Sequence, residues 1–300
     1  MSLAHHRRKL RSAVLGEAPE RLLTPGEPPL RAVEGRILDA SPHLLVLTSR
    51  GRELRMVMSE STRVWHGGMA DGGALVPGRD VVVRPTGDGL AADRIWVDIT
   101  RVSGTIVSYG GGAVEVDQGP HRGLRGVEIP ARTLGQILVR HPQMEPGNLF
   151  DVIAVRSAGA VVAVRPGTAQ PGAVAPPPGR PGGAVLRDTA TWFAGSGRGA
   201  AYPAVDPFGD AGGCADTPVG CAPLPYLSLG SSLRLRNDCT HRSDAMVVVE
   251  CGCTAARFCD RCVECGTSPR GRIVELTPAS FVDLGGDLDL GCFNVTLTVV

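Results

Sequence analysis

The 300-residue chain carries 31 basic and 30 acidic residues, and its formal net charge of +1 removes the electrostatic reason to expect nucleic acid or an anionic membrane as the main partner. Aromatics make up only 4%, while 40 glycines and 24 prolines punctuate recurring valine runs; that mixture predicts an all-β chain of two or three domains, with short strands and tight turns. No window approaches the roughly 18 unbroken apolar residues of a membrane-spanning helix, so no membrane span is expected.

Residues 1–30 begin MSLAHHRRKLRSAVLG, a basic cluster followed by an apolar stretch too short for the roughly 7–15-residue core of a secretory leader. A basic tail or short helix is expected there, and no ordinary export signal is read from it.

A repeat follows. VEGRI at 33–37 returns as VSGTI at 102–106, and LVPGRDV at 75–81 returns as MEPGNLF at 144–150. Val33/Val102, Gly35/Gly104, Ile37/Ile106, Pro77/Pro146 and Gly78/Gly147 all lie 69 residues apart. A register shared at both ends of a unit marks a duplicated structure. Each copy, 31–98 and 99–165, reads as a strand with a glycine kink, two more alternating strands, a Pro-Gly turn and a closing strand pair. Five or so short strands predict a small closed barrel, OB-like by preference, with an SH3-like barrel left open. Trp65, Trp96 and Tyr109 are the only aromatics between residues 32 and 140, too few for a base-stacking groove. Spacer or assembly modules, able to join a homo-oligomer or larger assembly, are the expected role.

Residues 166–184 contain PGTAQPGAVAPPPGRPGG, six prolines and five glycines in eighteen positions, and predict an extended, solvated linker. The domain from 185 to 300 then holds all nine cysteines. In it IVEL followed by Thr277-Pro278 predicts a strand entering a capped helix over 278–284 that stops at Gly285-Gly286.

Four segments of this domain, DTATWFAGSGRGAAYP, PLPYLSLGSSLRLRN, MVVVECGC and GRIVELTPASFVDLGGDLDLGCFNVTLTV, resemble in that order the six-stranded double-psi β-barrel of the RlpA and expansin superfamily. The resemblance covers the last third of the chain. It implies a groove that engages bacterial cell-wall glycan. The places of the superfamily's two acidic groove residues are held here by Glu250 and Glu275, both one methylene longer than aspartate. The place of its histidine falls near Cys221, so the catalytic set is incomplete unless His241 swings in from another loop or Asp206, Asp210 or Asp216 substitutes. Trp192, Phe193, Tyr202, Phe208 and Tyr226 are the candidate sugar-stacking rings.

The segment CGCTAARFCDRCVEC places Cys251, Cys253, Cys259, Cys262 and Cys265 within fifteen positions, with Cys239 and His241 just upstream. C-x2-C spacing fits tetrahedral zinc, so a structural zinc is one expectation. Disulfides are the other, as expansin-type domains have; Cys214 with Cys221, and Cys292 with the cluster, are the pairings considered. Bridges place the protein outside the cell, in the envelope or in a virion, whereas a metal allows the cytoplasm.

The expected function is non-catalytic engagement of cell-wall glycan by a double-psi barrel carried on tandem β-barrels. Two alternatives stand beside it: a structural component of a surface or phage assembly, and a lytic transglycosylase using Glu250 and Glu275, with Asp210 as the substitute acid.

Overall fold

Duplication at a spacing of 69 produces the same strand plan twice. The computed structural model describes residues 27–86, 89–170, 185–205, 224–252, 254 and 271–299. Its first copy comprises β1 (Val33–Ser41), β2 (Leu44–Ser49), β3 (Arg52–Val57), β4 (Arg63–Trp65), β5 (Met69–Ala70), β6 (Asp80–Pro85) and β7 (Ala92–Val97). The second comprises β8 (Ile99–Gly110), β9 (Ala113–Asp117), β10 (Leu124–Glu128), helix α1 (Ala131–Arg140), β11 (Leu149–Ser157) and β12 (Ala160–Pro166).

In the second copy the five strands close in the order β10-β12-β11-β8-β9, with β12 running parallel to β10 at Glu128 and Val162. A meander of three strands, a fourth beside the first, and a fifth parallel to the third is the OB-like order, with α1 between the third and fourth. The first copy departs from the expected closed barrel. Its strands form a seven-stranded sheet, and a single bridge between Val57 and Ala91 takes the place of the closing parallel pair. The β4–β5 hairpin, added beside β7, stands where the second copy has α1. The repeat pattern, read as strands throughout, contained no helix; α1 forms because one face, carrying Ile137, is buried.

The glycines shared by both copies mark close backbone approaches. A Cβ on Gly35 would lie 2.5 Å from the carbonyl oxygen of Thr48, and one on Gly104 would lie 2.1 Å from that of Asp117. Both face the second strand just before a bulge, at Ile37/Asp39 and Ile106/Ser108. Gly78 and Gly147 have φ of 90° and 91° and follow prolines, so each completes a type II turn closed by Arg79 N–H to Val76 and Asn148 N–H to Glu145. Because the obstruction at Gly104 is backbone, Gly104→Ala is expected to lower unfolding free energy by about 1–3 kcal/mol. Gly126→Ala, where nothing lies within 4 Å, serves as the control in urea titrations.

The last domain comprises β13 (Val185–Trp192), β14 (Ala200–Tyr202), β15 (Ser232–Asn237), β16 (Ser243–Cys251), β17 (Arg272–Leu276), helix α2 (Pro278–Asp283) and β18 (Cys292–Val299). Its six strands close in the order β13-β17-β14-β16-β15-β18. Replacing each strand by the one three further along the chain reproduces the same set of neighbours. The parallel pairs β13–β17 and β14–β16 exchange under that operation, as do the antiparallel pairs β13–β18 and β15–β16. This pseudo-twofold arrangement is the expected double-psi barrel. Thr277 precedes α2 in extended conformation, Pro278 takes its first position, and Gly285 with φ of 81° ends it. Gly285 N–H to Val282 and Gly286 N–H to Phe281 complete the Schellman pattern.

Two boundaries shift. Residues 27–30, expected within the tail, lie along the last barrel, where Glu27 bridges Arg242 and Leu30 N–H donates to Asp283. Residues 166–170, expected in the linker, belong to the second barrel: Thr168 is buried and its hydroxyl donates to Asp151 at 2.8 Å. The units also share core. Trp96 and Val82 from the first copy and Ile153 and Val155 from the second join one apolar cluster with Trp192 and Phe281 of the last barrel. Trp96 donates its indole N–H to Asp289 at 2.7 Å, and Arg94 takes the other carboxylate oxygen at 2.9 Å.

Candidate functional site

The two glutamates that the resemblance singled out do come together. Ala201 of β14 pairs with Glu250 of β16 on one side and with Glu275 of β17 on the other. An arginine from another barrel bridges them. The β9–β10 connection spans six residues, 118–123, against two, 50–51, in the first copy, and it carries Arg122 onto this face. Arg122 donates from Nε to Glu250 at 2.7 Å and from Nη1 to Glu275 at 3.2 Å, while its guanidinium carbon lies 4.2 Å from the centre of the Phe193 ring.

This geometry overturns the expected role of Glu275. Its side chain is wholly buried and also accepts from Arg272 Nη1 at 2.6 Å. Burial alone would raise its pKa, but the charges of Arg122, Arg272 and Arg101 outweigh burial and hold it below its ordinary value. A carboxylate kept ionised and sealed from solvent has no proton to donate and no path to a glycan, so among the described residues Glu275 lines no open groove. Glu250 keeps a quarter of its side chain exposed but is engaged by Arg122. Asp206, Asp210 and Asp216 lie outside the described residues.

Beneath this pair the charged seam continues into the second barrel. Arg272 Nη2 donates to Asp151 at 2.5 Å, Arg101 grips Asp151 bidentately at 2.8 and 2.6 Å, and Arg101 Nη1 donates to the carbonyl of Gly291. Burial works against the Asp151 charge, yet the two arginines hold its pKa far below the ordinary carboxylate value. None of Arg101, Arg122, Asp151 or Arg272 stood out in the sequence. The signal that finds two of them is the repeat itself: at an offset of 69, Arg101 and Asp151 correspond to Ala32 and Val82, both buried and apolar. The second copy exchanged an apolar pair for an ion pair where it meets the last barrel.

The expected sugar platforms are corrected as well. Trp192 is fully buried with its indole N–H on the carbonyl of Leu288. Tyr202 is also buried; its hydroxyl donates to the carbonyl of Pro225, and burial pushes its pKa up. Both are core residues, members of the apolar cluster that the last barrel shares with the two copies. Tyr226 is exposed; Phe208 lies outside the described residues.

Cys239 and His241 sit exposed in the turn between β15 and β16, whereas Cys251 ends β16. The nine-residue strand puts them on the order of 25 Å from it, so Cys239 and His241 do not share a tetrahedral site with Cys251. Cys251 is disulfide-bonded. Cys292 is buried at the start of β18, opposite Thr191. Cys214, Cys221, Cys253, Cys259, Cys262 and Cys265 lie outside the described residues, and among the described ones no three His, Cys, Asp or Glu side chains group to hold a metal.

Two cavities open where the barrels meet. The larger, about 970 Å³, lies between the first copy and residues 194–198 and 278–279 of the last barrel, and Arg50, Arg156, Arg198, Glu34 and Asp80 face it. Glu34 accepts from the N–H groups of Gly197 at 2.8 Å and Ala279 at 3.2 Å, so it caps α2 from a different domain. Burial raises the Glu34 pKa, against the pull of those two hydrogen bonds. The smaller cavity, about 280 Å³, lies between the second copy and Phe193–Ala194. No protein-family model matches the chain, and no curated protein matches it.

Proposed function

We propose that the protein binds bacterial cell-wall glycan without cleaving it, and that the glycan lies in the larger cleft between barrels and not across the two glutamates. The observation that carries this reading is the cleft itself, with donors from Arg50, Arg156 and Arg198 and acceptors from Glu34 and Asp80 around one space of about 970 Å³. Interspersed fixed donors and acceptors suit the hydroxyls and carboxylates of an amino-sugar polymer. The resemblance of the last barrel to RlpA and expansin domains supports the substrate class. The disulfide at Cys251 supports a place outside the cytosol.

Purified protein incubated with peptidoglycan sacculi is expected to be retained on them with no release of soluble sugars. Arg50→Ser, in the exposed β2–β3 turn, is expected to lower retention about tenfold. Soluble products abolished by Glu250→Gln would replace this reading with the lytic enzyme. Neither retention nor products would leave the assembly role through the N-terminal barrels.

A further inference from the structure

We infer that the smaller cavity is a binding site for a tetrahedral oxyanion, a phosphate or sulfate group. Its lining contains four arginines, Arg101, Arg122, Arg125 and Arg156, and no carboxylate. The charge around it is not balanced by its neighbours. Arg101, Arg122 and Arg272 are matched by Asp151, Glu250 and Glu275 in the buried seam. Arg125 has no ion pair among the described residues, and Arg156 reaches only Asp80, at 3.5 Å and with both side chains nearly half exposed. The cavity therefore holds more positive charge than it needs to hold the barrels together.

Arg122 adds a second observation. Its Nη2 is buried without an acceptor among the described residues, although the other two nitrogens of the same guanidinium are engaged. A guanidinium with one nitrogen unpartnered beside a cavity keeps positive charge that an anion there would neutralise. Ser103 and Gln118 supply neutral polar groups, and Phe193 provides an apolar wall that strengthens charge pairing by excluding water. Planar guanidinium forks suit the oxygens of phosphate and sulfate. The volume suits one such group and not an extended sugar chain.

The duplication acts as an internal comparison. In the first copy Arg101 is replaced by Ala32, and Arg125, at the offset of 71 set by the β3 and β10 pairings, by Leu54; the loop carrying Arg122 is shortened to two residues. Arg101 and Arg125 thus have no arginine counterpart at these places in the first copy. The oxyanion site stands whether or not the larger cleft takes a glycan.

The test is calorimetric titration of the full chain with inorganic phosphate, with sulfate and with a poly(glycerol phosphate) oligomer, at ionic strength held constant with chloride. Saturable binding is expected for phosphate or sulfate. Arg125→Gln and Arg156→Gln, both exposed and outside the buried seam, are each expected to weaken it about tenfold, and Arg52→Gln to leave it unchanged. Tighter binding of the oligomer than of phosphate identifies the group as part of a polymer, and equal binding identifies a free ion; either supports the site. Absence of saturable binding for all three ligands, or binding undiminished in the Arg125→Gln/Arg156→Gln double variant, overturns it.

Discussion

Arg272→Met is expected to lower the free energy of unfolding by about 3–5 kcal/mol, because it strands two buried carboxylates at once. The Arg272 side chain is wholly buried, and so are those of its partners Asp151 and Glu275. Asp151 would keep Arg101 and Thr168, and Glu275 would keep Arg122 at 3.2 Å, but each would lose its shortest contact. Ser103, which accepts from the same guanidinium at 3.1 Å, would be left buried as well. Urea titration at neutral pH measures the loss. Pairing the change with Glu275→Gln removes the uncompensated charge and is expected to recover about a third of it; a single-variant loss below about 1 kcal/mol would show that the seam is dispensable.

The same seam sets an acid limit. Asp151 and Glu275 both have folded pKa values below their ordinary 3.8 and 4.5, so above those values the folded state holds both charges with favourable partners. As pH falls below about 4.5 the unfolded chain takes up protons that the folded state refuses, and stability declines. Arg272→Met weakens the depression of both pKa values, so its stability should decline less steeply over that window than that of the parent.

Much of the architecture was legible because it is local. Gly35 and Gly104 announce backbone contacts between neighbouring strands, Pro77-Gly78 and Pro146-Gly147 announce type II turns, and Thr277-Pro278 announces the start of α2. What escaped the sequence is what one barrel does to another. Trp192 has the composition of a stacking platform, yet it lies in a core shared with the other barrels, under Arg101. Glu275 sits where the resemblance puts an acid, yet the β9–β10 loop, longer by four residues than its counterpart, brings Arg122 onto it. Position along the chain could place the carboxylate beside Glu250. It could not reveal the arginine from 153 residues away that neutralises it. The exchange of Ala32 and Val82 for Arg101 and Asp151 was present in the repeat, but its meaning depends on the third domain pressing on one copy more polar than the other.

His141 is expected to make stability fall by about 3 kcal/mol between pH 6.5 and pH 4, a window above that of the carboxylates. It ends α1, its ring lies 5.8 Å from that of Phe150, and it is fully buried with neither ring nitrogen partnered among the described residues. Burial lowers its pKa from 6.5 to about 4; the Asp151 charge on β11 opposes the shift, while Arg101 on β8 and Arg272 on β17 reinforce it. Between those values the unfolded chain binds a proton that the folded state does not, so stability rises with pH across the window and levels off above 6.5. His141→Leu removes the titration and the buried unpartnered nitrogens together. At pH 7 it should leave stability equal or higher, and the gap over the parent should widen as pH falls toward 4. His66, half-buried beside Arg79 and shifted in the same direction, is present in both proteins and cancels in the difference. Unfolding free energies measured from pH 7 to pH 4 decide it: curves for the two proteins that run parallel across that range would mean that His141 takes its proton without opening the barrel.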